Sequence, residues 1–499
     1  MKISELIKDI TPVETRGDLD KEIDNIVYDS RQVTDNSLFI CIEGFNTDGH
    51  KYIDKAIKKG AVAVVIEKDL EVYSEDITYI RVNDSRETMG YLASTFYNYP
   101  LKNLSLIGVT GTNGKTTTTY LIKAILEEAG FNTGLVGTIK NIIGDETLPA
   151  TRTTPESLDL YRLFARMVDS GVTHAVMEVS SHALDLKRVE GMEFKIGVFT
   201  NISQDHLDYH KSLDEYLKAK SRLFRQLEPG GWAVVNIDDS HSDKIIKSTT
   251  GNIITYGIEG DCDLKANEIN LSPTGVSYHV SGKESFKIDL NLTGLFNVYN
   301  SLAAISCGHV LGINGETIKA GIEKVQGVAG RFELVNEGQD FAVVVDYAHT
   351  PDGMENVLET AREFVKGNII VVFGCGGDRD KGKRPLMGKI ATQLGDYCII
   401  TSDNPRSEDP MEIIKDIEKG IQEEVISDTP YVKEPDRRKA IFSAINSARK
   451  DDMVIIFGKG HETYQIFKDK TIPFDDREVA REALKNRKKG EDHDTNESG

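Results

Sequence analysis

The sequence has no excess of basic residues, no long apolar run and no closely paired cysteines. Its 499 residues include 60 Lys and Arg against 80 Asp and Glu, which gives a formal net charge of -20. Nucleic-acid-binding proteins need basic surfaces, so this charge argues against such a partner. No stretch approaches the ~18 apolar residues of a transmembrane helix, and MKISELIKDI at the N-terminus lacks the apolar core of a signal peptide. We therefore expect a cytoplasmic protein without membrane insertion.

The cysteines are few and show no metal-binding or redox spacing. Five are present, an odd number, and none belongs to a C-x-x-C motif. We interpret them as small buried side chains in a reducing compartment. Cys375 lies in a glycine-rich loop, where a catalytic thiol is the alternative.

The length and composition are typical of a globular protein with about three domains. We place boundaries at Asn98-Tyr99-Pro100 and at the glycine-bearing linker that ends with Arg331. The predicted domains are residues 1–100, 101–330 and 331–484. Residues 485–499 are charged and contain no apolar side chain, so we predict a disordered tail.

Residues 1–100 alternate short apolar runs with helical patterns, which predicts a small α/β unit. The motifs Tyr28-Asp29-Ser30-Arg31 and Thr47-Asp48-Gly49-His50 follow strand-like runs, where α/β proteins bind ligands. Turn and cap chemistry explains either motif equally well.

A glycine-rich loop between a strand and a helix is the most informative motif. Residues 104–109 form an apolar run, residues 110–116 read TGTNGKT, and apolar side chains then recur at helical spacing. The loop amides and the helix start suit phosphate, Lys115 adds a mobile cation, and Thr116 is suited to magnesium. A strict Walker pattern requires glycine where the chain has Val109, so a Gly/Thr-rich turn is the alternative. The strand-to-helix context and the lysine favour nucleotide binding.

Two polar clusters in the central region flank predicted secondary structure: one comes before a helix and the other ends a strand. Thr153 and Thr154 lie in TRTTPE at 151, just before a predicted helix. Glu178 ends a buried-strand pattern and is followed by Ser180. An acid at such a strand end, beside a phosphate loop, is suited to hold magnesium, and a solvated acid is the alternative.

Histidine and asparagine side chains mark two further loops. His206 lies in NISQDHLDYH at 201 with a second histidine and two acids, and a helix that carries Lys220 follows. Asn297 and Asn300 lie near the start of a helix of small residues. They either contact an adenine edge or cap the helix, and residue chemistry leaves both readings open.

The C-terminal third has four predicted strands, at residues 341–346, 368–373, 397–402 and 453–457. The polar loops that follow them are DYAHTPDG at 346, GCGGDRDKGKRP at 374, SDNPRSEDP at 402 and GKGHETYQ at 458. Because the carboxyl ends of parallel strands meet at one edge of a sheet, we expect these loops to form one crevice.

Taken together, these motifs resemble the Mur ligase family over all of the chain except the tail. They are GTNGKTT at 111, MEVSSHALDLKRV at 177, NISQDHLDYH at 201, KAKSRLF at 218, GLFNVYN at 294, GRFE at 330 and VDYAHTPDG at 345. The resemblance implies an α/β fold of three domains: a small N-terminal domain for the uridine nucleotide, a central P-loop ATPase with a parallel sheet, and a Rossmann-like C-terminal domain for the incoming amino acid.

The resemblance also implies a reaction. ATP and Mg²⁺ would drive amide formation through an acyl phosphate on the D-Glu side chain of UDP-N-acetylmuramoyl-L-alanyl-D-glutamate. The branch that this chain resembles adds meso-diaminopimelate, in cytoplasmic peptidoglycan precursor synthesis, and we expect a monomer.

By the same resemblance, site residues can be assigned in groups. Catalytic roles are implied for Lys115, Glu178, His206, Lys220, Asp346 and His349. The implied ATP-binding residues are Gly111, Thr112, Asn113, Gly114, Lys115, Thr116, Thr117, Asn297, Asn300 and Arg331. The implied UDP-substrate residues are Ser30, Thr153, Thr154, Ser180 and Arg188. Thr116 and Glu178 would hold one magnesium ion, and His206 would hold a second with Lys220 modified to a carbamate.

Acceptor specificity is implied by Asp403-Asn404-Pro405-Arg406, which resembles the signature of the diaminopimelate-adding branch. Diaminopimelate has a carboxylate where lysine has none, and a guanidinium can bind it bidentately. The other implied acceptor residues are Arg379, Gly458 and Glu462, with Glu462 placed for the distal ammonium.

Three alternatives remain at this stage. Lysine or another amino acid is the acceptor, the chain is a folylpolyglutamate-synthase-like ligase, or it is an inactive nucleotide-binding protein. The N-terminal region and the acceptor signature argue against the first two. The presence of Lys115, Glu178, His206 and Lys220 argues against the third.

Overall fold

The computed structural model describes residues 1–44, 47–422 and 428–496, which form three α/β units on separate sheets. The predicted α/β class is confirmed. Within these ranges no helix is both long and apolar enough to cross a lipid bilayer.

The N-terminal unit is a five-stranded sheet with three short helices. Its strands are β1 (Glu14–Arg16), β2 (Asn25–Val27), β3 (Ser37–Ile40), β4 (Ala61–Ile66) and β5 (Thr78–Arg81). Their order is β1-β5-β4-β3-β2, and only the β1–β5 pair is antiparallel. The helices are α1 (Ile3–Leu6), α2 (Ile53–Lys58) and α3 (Ser85–Phe96).

The central unit is an eleven-stranded sheet. Its strands are β6 (Ser105–Thr110), β7 (Thr133–Val136), β8 (Lys140–Ile143), β9 (Glu146–Pro149), β10 (His174–Glu178), β11 (Phe194–Phe199), β12 (Leu227–Asn236), β13 (Asn252–Gly257), β14 (Leu264–Ser272), β15 (Gly275–Gly282) and β16 (Phe286–Leu290). Its helices are α4 (Lys115–Glu128), α5 (Ser157–Asp169), α6 (Ser181–Asp185), α7 (Leu207–His210), α8 (Leu213–Ser221), α9 (Ser242–Ser248), α10 (Leu295–Val310) and α11 (Gly315–Glu323).

Strand order in the central sheet brings the predicted motifs together. The order is β16-β15-β14-β13-β12-β11-β6-β10-β7-β8-β9, parallel from β14 to β7 and antiparallel at both edges. The strand β6 lies between β10 and β11, with Val109 beside Glu178 and Thr110 beside Phe199. The glycine loop, the acid that ends β10 and the loop after β11 therefore start from three adjacent strand ends.

The helix after the glycine loop follows from its apolar spacing. Leu121, Ile122, Ile125 and Leu126 are buried along α4. The helix ends at Glu128, and Gly130 then adopts φ 83°, which is a common conformation just after a helix. This element forms as the sequence predicts.

The C-terminal unit has a six-stranded sheet and a separate hairpin. Its strands are β17 (Glu333–Leu334), β18 (Ala342–Asp346), β19 (Ile369–Phe373), β20 (Tyr397–Ile400), β21 (Tyr431–Lys433), β22 (Met453–Phe457), β23 (Tyr464–Ile466) and β24 (Thr471–Pro473). Its helices are α12 (Pro351–Phe364), α13 (Lys383–Leu394), α14 (Pro410–Gln422), α15 (Arg437–Ser447) and α16 (Asp476–Asn496). The sheet order is β17-β18-β22-β19-β20-β21, and only β17 is antiparallel. All four strands predicted for this region are present.

The last helix extends beyond the predicted end of the folded chain. The lack of apolar residues after Leu484 predicts disorder from residue 485, whereas α16 continues to Asn496. Arg487 explains part of the difference, because its Nη1 donates to the carbonyl oxygens of Ile445 and Ala448 at 2.6 and 2.7 Å. Residues 497–499 of the predicted tail lie outside the described residues.

Candidate active site

A cavity of about 430 Å³ is lined by loops at the carboxyl ends of the central and C-terminal strands. The four polar loops of the C-terminal unit all contribute to it, as predicted. The predicted site residues that line it are Thr112, Asn113, Gly114, Lys115, Thr116, Thr153, Glu178, Ser180, His206, Lys220, Arg331, His349, Arg379, Asp403, Asn404, Arg406, Gly458 and Glu462. Residues expected at the nucleotide and at the amino-acid acceptor thus share one cavity.

The glycine loop has the conformation of an anion site. Gly114 adopts φ 86°, and a Cβ there would collide with the side-chain oxygen of Asn300. Lys115 begins α4 and folds back, so that Nζ donates to the carbonyl oxygens of Gly111 and Thr112 at 2.8 Å each. Burial lowers the pKa of this lysine. The lysine therefore lies against the glycine loop at the start of α4, where a phosphate would bind.

Glu178 and Thr116 form an oxygen-rich corner beside the glycine loop. Glu178 Oε2 accepts hydrogen bonds from Thr116 Oγ1 and Thr138 Oγ1 at 3.0 Å each, and Oε1 accepts one from the Thr138 amide at 2.7 Å. Arg331 Nη2 also donates to Thr116 Oγ1 at 3.0 Å. A carboxylate and a hydroxyl at this separation match the hard oxygen ligands that Mg²⁺ prefers.

Lys220 is buried inside the site. Only 1% of the residue is exposed, and Nζ donates to the carbonyl oxygen of Gly111 at 2.6 Å. The ammonium also lies 4.3 Å from the ring centre of Tyr216. Burial, reinforced by the nearby charge of Lys115, holds the pKa of Lys220 well below its ordinary value. The amine is therefore poised to be neutral, which is the nucleophilic form.

His206 lies opposite the buried lysine in a strained backbone position. It has φ 55° just before α7, and its Nε2 lies 3.3 Å from Asp205 Oδ2. Burial lowers the pKa of His206 to about 3, so the imidazole is neutral near pH 7. A neutral imidazole is the form that ligates metal ions. Asp205 Oδ1 also lies 3.8 Å from Nζ of Lys383, whose side chain is almost fully buried.

Arg331 lines the cavity, whereas Asp346 lies behind its wall. The guanidinium of Arg331 faces the cavity and lies 4.3 Å from the ring centre of Tyr347. Asp346 does not line the cavity, because its two oxygens accept hydrogen bonds from the amides of Phe332 at 2.6 Å and Ala348 at 2.7 Å. Its burial raises its pKa. Asp346 thus fixes the backbone next to Arg331.

His349 lines the cavity with one ring nitrogen engaged. Its Nδ1 lies 3.0 Å from the carbonyl oxygen of Tyr347, which can only accept, so Nδ1 is the donor. Burial lowers the pKa of His349 to about 4. The neutral ring therefore offers Nε2 as a proton acceptor.

Asp352 links the C-terminal unit to the glycine loop. Its Oδ2 accepts hydrogen bonds from Asn113 Nδ2 at 2.7 Å and from Ser203 Oγ at 3.2 Å. These contacts join the first turn of α12 to two loops of the central unit. The same carboxylate thus couples the position of the C-terminal unit to the loop expected to bind phosphate.

The guanidinium groups of Arg379 and Arg406 form the basic side of the region predicted to bind the acceptor, which we call the acceptor region. Arg406 adopts φ 53°, and its Nη1 donates to the carbonyl oxygens of Gly377 at 2.7 Å and Asn404 at 3.5 Å. Burial and the nearby charge of Arg379 lower the pKa of Arg406. Among the described residues no carboxylate lies within ion-pair distance of Arg406. An anionic ligand is the natural complement of this charge.

The acidic side of the acceptor region contains Glu462 and Asp403. Glu462 Oε2 accepts hydrogen bonds from Lys459 Nζ at 2.8 Å and Asn404 Nδ2 at 2.9 Å. The expected role of Glu462 toward an ammonium therefore falls to Oε1. The backbone of Gly458, at φ 110°, approaches Asp403 Oδ2 so closely that a Cβ would not fit.

A second cavity, of about 580 Å³, lies on the N-terminal unit. Ser30 lines it together with Tyr28, Arg86 and Glu156. Arg152 lines both this cavity and the main one, so the two are neighbours. An elongated ligand can extend from one cavity to the other past this arginine.

The remaining predicted site residues support the walls rather than line the main cavity. They are Gly111, Thr117, Thr154, Arg188, Asn297, Asn300 and Pro405. Arg188 Nη1 donates to the carbonyl oxygen of Thr154 at 3.0 Å, and Thr154 Oγ1 donates to the carbonyl oxygen of Glu178 at 2.8 Å. Asn300 Nδ2 donates to Asn297 Oδ1 at 3.0 Å behind the glycine loop.

Sequence reasoning missed several residues that line the cavity. They include Thr138, Arg152, Asp205, Lys383 and His461. Lys459 does not line the cavity, but it donates to Asn404 and Glu462, which do. The sequence did not predict it either, although it lies in one of the polar loops identified there. Its signal was the lysine after Gly458 in a loop that follows a fully buried strand.

Within the described ranges no group of three or more His, Cys, Asp or Glu side chains is arranged to hold a metal ion. Mg²⁺ does not require such a group, because it is commonly held by one or two protein oxygens together with substrate phosphates. The Thr116 and Glu178 oxygens meet that description.

Comparison with known proteins gives family matches along most of the chain. Residues 22–97 match the Mur ligase family, catalytic domain, residues 109–308 match the Mur ligase middle domain, and residues 330–460 match the Mur ligase, glutamate ligase domain. These segments contain the glycine loop, Lys220 and the residues from Arg379 to Arg406 that are predicted to bind the acceptor.

Full-length relatives give the same result. A protein of Caldanaerobacter subterraneus subsp. tengcongensis is 50% identical over 97% of this chain and 99% of its own length, and one of Clostridium botulinum is 51% identical over 93% and 96%. Both are named UDP-N-acetylmuramoyl-L-alanyl-D-glutamate–2,6-diaminopimelate ligase. A solved structure with the same name is 32% identical, with a TM-score of 0.68 over 98% of this chain and 99% of that chain. The chain belongs to the Mur ligase family.

Proposed function

We propose that this protein joins meso-diaminopimelate to the D-Glu side-chain carboxylate of UDP-N-acetylmuramoyl-L-alanyl-D-glutamate, with hydrolysis of ATP to ADP and phosphate. Mur ligases are ATP-dependent, and relatives about 50% identical carry the name of this activity. The observation that carries the proposal is that Lys115 and Arg406 line one cavity. The phosphate site and the acceptor site are then close enough to act on one carboxylate.

The first step is activation of the substrate carboxylate. A carboxylate oxygen attacks the γ-phosphorus of ATP, the bond to the bridging oxygen breaks, and ADP leaves. Lys115 exchanges its two carbonyl contacts in the loop for phosphate oxygens and, with the loop amides, stabilises the charge that develops. Arg331 lines the same cavity and donates to Thr116, the residue after Lys115.

Magnesium fits beside this step. Thr116 Oγ1 and Glu178 Oε2 would hold one ion, and His206 with a modified Lys220 would hold a second. When bound, Mg²⁺ neutralises charge on the phosphate and acyl oxygens. His206 supplies a neutral imidazole nitrogen, as a metal ligand must.

Carbamate formation at Lys220 would supply an anionic ligand for the second magnesium ion. The neutral amine attacks the carbon of CO₂, a nitrogen–carbon bond forms, and one proton is released. Burial favours this reaction, because it keeps the pKa of the amine low and the nucleophilic form populated. The product places a carboxylate next to Lys115.

The second step forms the amide. The acceptor amine attacks the acyl carbon, a tetrahedral intermediate forms, and phosphate leaves as the carbonyl is restored. The attacking nitrogen must lose a proton. His349 Nε2 is suited to accept it, because burial keeps the ring neutral and Nδ1 is already bound to a carbonyl oxygen.

Acceptor choice rests on two opposite charges. Arg406 has donor capacity left after its two bonds to backbone oxygens, and it faces the cavity. The distal carboxylate of diaminopimelate complements this guanidinium, and its ammonium complements Glu462 Oε1 and Asp403. L-Lysine offers only the ammonium.

The UDP-sugar substrate would extend from the main cavity toward the N-terminal unit. Ser30 in the second cavity and Thr153 and Ser180 in the main one lie on the two sides of Arg152. We also propose that the enzyme is a cytoplasmic monomer.

Phosphate release tests the function. ATP, Mg²⁺ and the UDP-muramoyl dipeptide are incubated with meso-diaminopimelate or with L-lysine at matched concentrations. We expect release with diaminopimelate and little with lysine. Preference for lysine would reject the acceptor assignment, and nucleotide binding without release in either mixture would favour an inactive nucleotide-binding protein.

A further inference from the structure

Lys459 is a fully buried lysine next to the acceptor region. Its side chain is 0% exposed, and Nζ donates to Asn404 Oδ1 at 3.1 Å and to Glu462 Oε2 at 2.8 Å. The ammonium also lies 5.5 Å from the ring centre of Tyr464. An unpaired buried ammonium would destabilise the fold, so these partners hold the Lys459 ammonium in place.

The lysine fixes the orientation of the Asn404 amide. Asn404 Oδ1 accepts from Lys459 and from the amide of Ile466 at 2.9 Å, so that corner of the side chain is surrounded by donors. A flipped amide would point its own donors at both. Nδ2 is therefore directed toward Glu462 Oε2, at 2.9 Å.

The same lysine also holds Glu462 away from the guanidinium across the cavity. Lys459 and Asn404 both bind Oε2, which leaves Oε1 toward the cavity that Glu462 and Arg406 line together. The charge of Glu462 already acts on Arg406. Without the lysine, this carboxylate would lose its cationic partner and would be drawn to Arg406. Such an internal ion pair would consume both charges that the acceptor needs.

We propose that Lys459 is a positioning residue for the acceptor: it anchors Glu462 and Asn404 so that Glu462 and Arg406 stay apart as two separate charges. The pocket then accepts a ligand end that carries both an ammonium and a carboxylate. This inference rests on the proposed function, because it concerns how the diaminopimelate pocket is kept open.

The test is steady-state kinetics of Lys459→Met, which keeps the length of the side chain and removes the donor. We expect the KM for diaminopimelate to rise roughly tenfold or more, since hydrogen bonds to a charged group are lost. The KM values for ATP and for the UDP-substrate should change less than about twofold, because the hydrogen bonds of this network all join residues of the C-terminal unit. Lys468→Met, at an exposed lysine in the turn between β23 and β24, is the matched control and should behave as the unsubstituted enzyme.

A second variant separates positioning from general damage. In a Glu462→Gln background the lysine has no carboxylate to hold, so adding Lys459→Met should raise the KM for diaminopimelate less than about twofold further. Full additivity of the two substitutions, or equal increases in all three KM values, would overturn the proposal.

Two further outcomes are a variant that does not fold and an enzyme that does not use diaminopimelate. If Lys459→Met does not fold, Lys459→Gln, which keeps a donor for Asn404 but lacks the charge, is measured instead, and an unchanged KM for diaminopimelate would overturn the proposal. Failure of the unsubstituted enzyme to use diaminopimelate would reject the proposed function itself, which is a different result from an active enzyme that ignores the substitution.

Discussion

Lys220 Nζ donates a hydrogen bond to the carbonyl oxygen of Gly111 at 2.6 Å, although the two residues are 109 positions apart in the chain. The contact places a buried amine against the loop that also carries Lys115. Burial, together with the nearby charge of Lys115, disfavours a charged Lys220 in this small volume and lowers its pKa. Conversion of Lys220 to a carbamate would place an anion beside the cation of Lys115.

Lys220→Ala should therefore reduce activity about a thousandfold, because it removes the proposed carbamate that would help to hold magnesium. Added formate or acetate should restore part of the rate by occupying the vacated volume. Phosphate release in the presence of diaminopimelate measures both effects. Lys218→Ala, at an exposed position of the same helix, is the control. Full activity of Lys220→Ala would show that the carbamate is irrelevant to this enzyme.

Arg406→Ala should weaken diaminopimelate specifically. Loss of one partner of a desolvated, bidentate charge pair costs roughly 2 to 5 kcal/mol, so the KM for diaminopimelate should rise about 30-fold or more. The KM for ATP should stay nearly constant. Arg449→Ala, at an exposed arginine of the same unit, controls for the loss of a positive charge. Parallel increases in both KM values would contradict the role assigned to the guanidinium.

Asp352→Ala should weaken ATP binding from outside the phosphate site. The substitution removes the acceptor for Asn113 Nδ2 and Ser203 Oγ, and thereby loosens the glycine loop. Hydrogen bonds to a charged group contribute enough to raise the KM for ATP about tenfold. Glu355→Ala, an exposed acid on the same helix, should leave this KM unchanged. If both variants bind ATP normally, the bond from α12 does not position the loop.

The glycine loop and the strand ends show what local sequence determines. An apolar run, a Gly-Lys-Thr turn and helical spacing are all local, and they predict β6 and α4 closely. The acid at Glu178 is predictable for the same reason, because it ends a buried strand beside the loop.

The buried lysines show what local sequence does not determine. Lys220 and Lys459 occur in patterns that suit exposed residues, and only long-range packing buries them against Gly111 and Asn404. Resemblance to a family identified Lys220, and nothing in the spacing identified Lys459. The sequence also does not predict that Asp346 accepts a hydrogen bond from the amide of Phe332, because this contact depends on the tertiary position of Phe332.

Glu408→Gln tests the ion pair between Glu408, in the loop after Arg406, and Arg384. The pKa of Glu408 is lowered to about 2 by hydrogen bonds from the fully buried Arg384. A carboxyl that ionises more readily when folded stabilises the protein above its ordinary pKa of 4.5 and loses this effect as the pH falls toward 2.

The substitution should thus lower the free energy of unfolding by about 2 kcal/mol at pH 7, and by progressively less as the pH falls below 4.5. Urea unfolding at several pH values gives this difference. Glu412→Gln, at an exposed acid of α14, should have little effect at any pH. A destabilisation by Glu408→Gln that is constant with pH would show that the pair with Arg384 is not its cause.

The most direct test of the account uses UDP-muramoyl dipeptide labelled with ¹⁸O in the D-Glu side-chain carboxylate. If that carboxylate attacks ATP and the diaminopimelate amine then displaces phosphate, one labelled oxygen must pass into each phosphate released. We predict labelled phosphate in equal amount to tripeptide, and formation of both only when diaminopimelate is present. Release of unlabelled phosphate, or label transfer that proceeds as well with L-lysine, would contradict the account.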